Sequence, residues 1–376
     1  MNNTAGIIFS NLNDDNLSRL TVDRTVAAIP FACRYRLVDF NLSNMVNANI
    51  SNISIVTNRN YRSLKNHIGS GKDWDLARRS GGINVVSPFQ NSSSGARLYT
   101  GHLEALKSMY DVIADFHEEN VVLADCDTIF NIDLRLAISQ HEDASADVTV
   151  ITARCKETWT SKTPRMLVKT DENSRVIDML RSDRYNDATP EVSLNVYVFK
   201  TTYLRKLLQD SMARNYTGLT RDIMLREYRH ARYMTYRYDG YIAYLSSFRD
   251  YFNSSMEILI NEKARQSLFG LGARPVYTNV HNSSPAVYRD GAKVRDSLIA
   301  DGCVIEGEVE NCILFRNVHV EKGAVVKNSV IFHGGIVGEN SNVNCVVADK
   351  NVVIGDHRNL SGHFTMPFFI EKNKRV

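Results

Sequence analysis

Two arginines, an aspartate and three amide or hydroxyl side chains fall within residues 30–44, PFACRYRLVDFNLSN. Arg34 and Arg36 stand two apart, and two guanidinium forks that close can clamp a phosphate through bidentate hydrogen bonds. The same pair could instead be neutralised by Asp39 or by surface carboxylates. Further on, the apolar run 121–124 ends in Asp125-Cys126-Asp127. A carboxylate at a strand end can hold Mg²⁺, which takes one or two carboxylates and completes its shell from substrate phosphates. It can equally cap a turn.

Those residues need a scaffold. The run 5–9 reads as a buried first strand, with further strands at 53–57, 121–124 and 146–153. Helices are expected at 43–48, capped by Ser43 or Asn41, and at 61–67. A third is expected at 101–118, where Leu103, Leu106, Met109, Tyr110 and Ile113 recur at helical spacing. Strand alternating with helix predicts an α/β, Rossmann-like layout: a mostly parallel sheet with helices on both faces. Ligands of such sheets bind at the carboxyl ends of the strands, which puts residues 10–16 and 125–127 at the mouth. Strand patterns at 166–169, 176–179 and 194–199 predict a smaller, mixed extension of the sheet over that mouth. Helix returns at 222–232 and 247–267.

After residue 292 the sequence changes character. A six-residue step lands on Val294, Ala300, Glu306, Cys312, Val318, Ala324, Val330, Ile336, Asn342, Ala348 and Ile354, most of them small or aliphatic. Six residues make a short strand and a turn, and three such units make a triangular coil that buries its inward side chains against the next. The period predicts a parallel β-helix of about three to four coils. A set of unrelated hairpins is the alternative. The chain thus divides into a domain at 1–270, a linker at 271–290 and a β-helix at 291–376.

Bulk properties narrow the function. At 376 residues, 43% hydrophobic and 23% charged, the chain fits a two-domain globular protein. A net charge of +3 gives no reason to expect a nucleic-acid or membrane partner. Neither a signal-peptide pattern nor an apolar run near the length of a spanning helix is read, so a cytoplasmic protein is expected. Cysteines 33, 126, 155, 303, 312 and 345 form no Cys-x-x-Cys pair, which argues for reduced, buried thiols and against zinc.

Taken in order, these stretches resemble the sugar-nucleotide pyrophosphorylases, above all the glucose-1-phosphate adenylyltransferases (ADP-glucose pyrophosphorylases). Residues 30–44 are similar to that family's PFGGKYRIIDFxLSN, and residues 98–105, LYTGHLEA, to its YRGTADA. Residues 127–133, DTIFNID, resemble DHIYKMD, and residues 193–199, SLNVYVF, resemble SMGIYVF. The resemblance covers essentially the whole chain. It implies a nucleotidyltransferase domain followed by a left-handed parallel β-helix of hexapeptide repeats.

The departures fall on the positions that handle charge. Active members open with GGxGxRL and then KRxKP; here NLNDDNL (11–17) and DRTVA (23–27) stand in those places. Glycines let backbone N–H groups approach a triphosphate, and Asn11 and Leu12 carry side chains there. Asn16 replaces an arginine and Val26 a lysine; losing one well-placed donor costs on the order of 10²–10³ in rate. Asp14 and Asp15 are expected to repel phosphate, by about 4 kcal/mol for charges about 4 Å apart at an effective dielectric of about 20. Family members hold Mg²⁺ between the aspartate matched by Asp127 and a second one in GYWxDxGT. Here that segment is GYIAYLSS (240–247), and Tyr244 stands at the second carboxylate. Ser182, beside Arg181, takes the place of the sugar-phosphate lysine.

The resemblance therefore implies no intact catalytic set and no metal at Asp127. Asn11, Leu12, Asn16, Val26, Ser182 and Tyr244 are its degraded positions, and Gly101, His102, Asp127, Arg181 and Ser193 are a remnant pocket. It further implies a member of the family's GlgD-type group: a regulatory, catalytically weak subunit that supports glycogen synthesis. Such a chain needs no cofactor of its own, Mg²⁺ being held by a catalytic glucose-1-phosphate adenylyltransferase subunit. The two would form a hetero-oligomer, of tetramer size, with self-association. Arg24, Arg34 and Arg36 match positions where small anionic effectors bind between the domains. One alternative is an active sugar nucleotidyltransferase with an altered donor or metal site. Another is a hexapeptide acyltransferase using His319, His333, His357 or His363 as base.

Overall fold

Strand β1, Thr4–Phe9, is buried along its whole length and runs parallel to β2, Asn52–Val56, on one side. On its other side lies β4, Asn120–Asp125, again parallel. β3, Gly82–Val86, extends the parallel set beyond β2. Apolar runs without alternation suit strands covered on both faces. Gly6 marks a close approach from one face: a Cβ there would lie 2.6 Å from the sulfur of Met45. The computed structural model from which this is read describes residues 3–12, 14–79, 81–87, 99–154, 159–185 and 191–376. Asn13, Leu98 and Cys155, all named above, lie outside the described residues.

The sheet then turns antiparallel. β8, Glu191–Lys200, pairs with β4 and also with β5, Val148–Arg154, and β6, Trp159–Thr170. β6 and β7, Val176–Tyr185, form a long hairpin at that edge. β9, Tyr233–Arg237, closes the set alongside β5. The expected mixed extension thus belongs to the same nine-stranded sheet. The region 222–232 is less helical than expected: helical turns end at Glu227. No helix among the described residues is long and apolar enough to cross a membrane.

Helix α1 spans Leu37–Asn47, beginning six residues before the expected start. Its N-terminus is fixed by Asp39, whose carboxylate accepts the Arg36 N–H at 2.9 Å. Asn41 and Ser43, which looked like cap residues, are buried inside the helix with Asn44, and all three bond outward. Asn41 donates to the Asp125 carbonyl at 2.7 Å, Asn44 to the Phe130 carbonyl at 3.2 Å, and Ser43 accepts the Tyr277 N–H at 2.8 Å. Asn41 and Asn44 therefore tie α1 to the end of β4 and the segment after it, Ser43 ties it to Tyr277, and none of the three caps it.

The tail forms three five-stranded parallel sheets, the faces of a left-handed β-helix. Its first strand, Val287–Tyr288, lies within the stretch read as linker. Along one face Val294 pairs with Val309, then Val326, Val343 and Leu360, so successive coils are fifteen and then seventeen residues long. A strict six-residue count gives eighteen and drifts. It lands on half-exposed Glu306 and exposed Asn342, where Ile305 and Val343 are the buried side chains. At the turns, Gly323 has φ +73, and a Cβ on it would meet Asn340 Oδ1 at 2.2 Å, so each coil's turn is cut to fit the next.

The three faces differ in a way that sets the domain arrangement. Lys293–Arg295, Glu308–Glu310 and Asn342–Asn344 alternate polar, apolar, polar, and only their central valines point inward. Leu298–Ile299, Ile313–Leu314, Val330–Ile331, Val346–Ala348 and Phe368–Ile370 are apolar on both sides. Leu314, Ile331 and Ala348 fill the β-helix interior, while Ile313, Phe315, Val330, Phe332 and Val347 join one core with Phe31, Phe40 and Tyr251 of the first domain. Phe332 meets Phe315 edge-on at 5.2 Å and Tyr251 at 6.3 Å. Each aliphatic side chain fully buried there contributes about 1.5–3 kcal/mol.

A buried ion pair crosses this apolar seam. Arg24 Nη2 lies 2.6 and 2.7 Å from the two oxygens of Asp349, both side chains almost wholly buried. Removing one partner of a buried pair strands the other charge and costs about 3–5 kcal/mol. Asp349→Ala should therefore lower stability by about 3 kcal/mol in urea unfolding followed by circular dichroism. Arg24→Met/Asp349→Leu should recover most of that loss. A drop under about 1 kcal/mol in Asp349→Ala would mean the pair is not what holds the seam in register.

Candidate functional site

The strand-end pocket is built by five elements. β1 ends into the loop that follows Phe9, β4 ends at Asp125, helix α2 (His102–Ser108) starts at Gly101, and β6 and β7 bring Arg165 to Asp127 and Arg181 within electrostatic reach of His102. Gly101 has φ −156, ordinary extended backbone, and its carbonyl accepts the Ala105 N–H that opens α2. His102 Nε2 sits 2.7 and 2.9 Å from the Asp125 carboxylate and packs edge-on to Phe9. Burial pulls the imidazole pKa down, but the charge and hydrogen bond of Asp125 outweigh it, and the net shift is upward. Ser193 is fully buried at the bulge between Ser193 and Tyr197 of β8, accepting the Asn195 N–H at 3.1 Å. Arg181 is exposed on β7 and donates to the Pro164 carbonyl at 3.4 Å; Ser182 is its neighbour, paired across the hairpin with Arg165.

Asp127 lies just past β4. The two-residue strand Ala243–Tyr244 pairs with Thr128–Ile129, and Leu245 N–H donates to the Asp127 carbonyl at 2.8 Å, so Tyr244 is held beside Asp127. Asp127 Oδ1 accepts the Thr128 hydroxyl at 3.1 Å. Its Oδ2 faces Arg165 Nη2 at 3.5 Å, and the Arg165 guanidinium carbon sits 4.0 Å from the centre of the Tyr244 ring. Burial raises the Asp127 pKa, opposed by Arg165 and reinforced by the like charge of Asp125. Arg165, wholly within β6, was not picked out from sequence. The available signal was a basic residue opening the apolar run Met166-Leu167-Val168.

The loop before α1 differs from its expected behaviour in one respect. Asp14 does not face outward to repel a phosphate. It is buried, and its carboxylate accepts the Val26 N–H at 3.0 Å, at the start of the short 3₁₀ turn Val26–Ala28. Burial raises its pKa to about 7. Asp15 is exposed and pairs with Arg59 at 3.1 Å. Asn11 accepts a hydrogen bond from the Tyr99 hydroxyl at 3.2 Å, Leu12 packs on the core beneath the sheet, and Val26 is buried in the main core. Asn16 lines a groove with Arg19 and Phe248.

The three arginines of the effector reading do not end up together. Arg24 is committed to Asp349, as above. Arg34 and Arg36 line a cavity of about 250 Å³ between the domains, with His67, His281, Arg316, His333 and Lys350. Neither guanidinium pairs with Asp39, which accepts the Arg36 N–H and lies 2.6 Å from His67 Nε2. Arg36 donates to the Ser63 carbonyl at 2.7 Å and hydroxyl at 3.0 Å, and Arg316 to Asp301 at 3.0 Å. Positive charge dominates the cavity. Burial, with Arg36 and Arg24 adding to it, pushes the Lys350 amine down to about 7. Burial and neighbouring cations also lower His281 and His333. Burial lowers Arg36 to about 10. The β-helix contribution to this cluster was not legible, because residues 316, 333 and 350 meet only once the coils are stacked.

Two domain families match the chain: nucleotidyl transferase over residues 13–241, and the GlmU-like C-terminal hexapeptide over residues 284–362. The chain is 32% identical over 374 residues to the glycogen biosynthesis protein GlgD of Bacillus subtilis (strain 168), covering 99% of this chain and 96% of that one. It is 29% identical over 346 residues to the glucose-1-phosphate adenylyltransferases of Bacillus thuringiensis subsp. konkukian and Bacillus anthracis, covering 90% of each chain. With strand order, β-helix and full-length similarity in agreement, the chain belongs to the nucleotidyl transferase family, on the branch that holds GlgD and the glucose-1-phosphate adenylyltransferases.

Proposed function

We propose that this chain is a regulatory, catalytically weak subunit of ADP-glucose pyrophosphorylase. It supports a catalytic glucose-1-phosphate adenylyltransferase that makes ADP-glucose from ATP and glucose 1-phosphate for glycogen synthesis. The carrying observation is the loop 11–17. Its Asp14 carboxylate already takes the Val26 N–H that a phosphate-binding loop would leave open. Adenylyl transfer depends on positioning and charge neutralisation at the triphosphate, and here Asn16 and Val26 supply no cation. The similarity to GlgD over nearly the full chain supports the same reading. In this reading Mg²⁺ is held by the catalytic partner, and the two chains form a hetero-oligomer.

The second part of the proposal is an anionic effector at the domain junction, held by Arg34, Arg36, Arg316 and Lys350. Four basic side chains from two domains around one cavity suit a phosphate-class ligand.

Two measurements test these readings. The purified chain should form ADP-glucose at least about 10²-fold more slowly than the catalytic subunit, and adding it to that subunit should change the rate or its effector response. Full activity of the chain alone, lost in Asp127→Ala, would falsify the regulatory reading. For the junction, sulfate is a probe whose own charge is constant across neutral pH. Lys350 is lowered to about 7, so its ammonium form gains population as pH falls from 8.5 to 6. His281 and His333, also lowered, add charge at the acid end. Sulfate affinity by calorimetry should rise as pH falls, with proton uptake near pH 7, and Lys350→Met should remove that step. Equal affinity at both ends of the range would count against the site.

A further inference from the structure

We propose that Arg165 is a tethered counter-ion that has taken the place of a divalent cation at Asp127, so that this pocket excludes free metal. The inference deepens the regulatory reading and rests on it in one respect: Asp127 marks the family's metal position. Three features of the geometry carry it. First, both oxygens of Asp127 are engaged from within the chain, Oδ1 by the Thr128 hydroxyl at 3.1 Å and Oδ2 by Arg165 at 3.5 Å. Arg165 Nη1 also reaches Thr128 Oγ1 at 3.3 Å, closing a ring of three residues.

Second, the guanidinium is held where it is. Arg165 has 2% of its side chain exposed and Asp127 5%, and the Tyr244 ring covers the guanidinium at 4.0 Å. A cation over a ring face is held without needing a second carboxylate. The backbone ladder between Ala243–Tyr244 and Thr128–Ile129 fixes that ring beside Asp127. The residue that removes the second metal ligand is therefore the residue that seats the replacement charge.

Third, the donor set does not fit a divalent ion. Mg²⁺ requires oxygen ligands at about 2.0–2.1 Å in near-octahedral array. Among the described residues no three His, Cys, Asp or Glu side chains are grouped to hold a metal. An ion bound to Oδ2 would stand against a guanidinium of like sign. The arginine brings one positive charge that needs no recruitment, whereas a metal brings two and coordination sites for phosphate. The exchange keeps Asp127 neutralised and the strand end folded while removing the sites through which a phosphate would be gripped.

Mn²⁺ is the probe, read by electron paramagnetic resonance on the purified full-length chain. Wild type should show no saturable site that Asp127→Asn removes. Arg165→Ala and Arg165→Met should each gain one site, at least about tenfold tighter than any wild-type binding, and Asp127→Asn in either background should abolish it. Arg165→Lys, which keeps the charge, should stay without it. The proposal is overturned if wild type binds Mn²⁺ at a site lost in Asp127→Asn, or if the arginine variants, folded by circular dichroism, bind no more Mn²⁺ than wild type. The wild-type comparison stands even if the alanine variant does not fold. ADP-glucose formation is not read in this experiment, so its failure is separate from failure of the regulatory role.

Discussion

The architecture hangs on one sheet of the β-helix whose three middle strands are buried on both sides. A β-helix face needs only its inward side chains buried, and the face carrying Lys293, Glu308 and Asn342 leaves those outward positions to water. The face built from Ile313–Leu314, Val330–Ile331 and Val346–Ala348 cannot do so, since its outward row would expose a continuous apolar strip. It is covered by Phe31, Phe40 and Tyr251, so the interior of the transferase domain and the outer surface of the β-helix share one core. Apolar contact is non-directional. Arg24 and Asp349 supply direction: a charge pair in a dry seam is satisfied in one register only.

Within the transferase domain, the loop after β1 and the carboxylate after β4 are satisfied internally rather than left open. Asp14 fills a backbone donor in the loop, and Arg165 balances Asp127. Both substitutions follow from the physics of burial. An orphaned N–H or an unpaired carboxylate in a dry pocket is costly. When its own side chains make those contacts, the pocket is satisfied without a bound ligand. The His102–Asp125 pair, by contrast, keeps a partly exposed imidazole, packed edge-on to Phe9.

Period and composition carried the fold. Buried runs such as residues 5–9 and 121–124 are strands, and the hexapeptide step announced the β-helix even though its coils are seventeen residues rather than eighteen. What periodicity does not carry is direction. Asp14 was legible as a charge in the phosphate loop, but whether it faced the ligand or Val26 depends on a loop conformation. Asn41 and Ser43 had the chemistry of caps, and only the seating of α1 against β4 shows that they bond across the domain. Tyr244 was legible as a lost carboxylate. Arg165, its partner, lies about eighty positions away in sequence on a different strand and has meaning only through the pairing of Ala243–Tyr244 with Thr128–Ile129.

The turn at Asp349-Lys350 joins these two themes. It follows the strand Val346–Ala348, whose Val347 is part of the shared core. Asp349 faces Arg24, and the next residue, Lys350, faces the junction cavity with Arg36 and Arg316. Arg24 in turn stands two residues before Val26, whose N–H is held by Asp14. Charge at the junction is thus connected to the loop of the remnant pocket through that ion pair and a few bonds of backbone. Lys350 is lowered because burial and the neighbouring arginines disfavour its charged form, and an anion in the cavity would reverse that imbalance. The stress is local to the seam and rests on the same turn that sets the register of the two domains. An anion there would act on how the domains are held rather than on a reaction in the pocket, the kind of sensitivity that the proposed regulatory reading calls for.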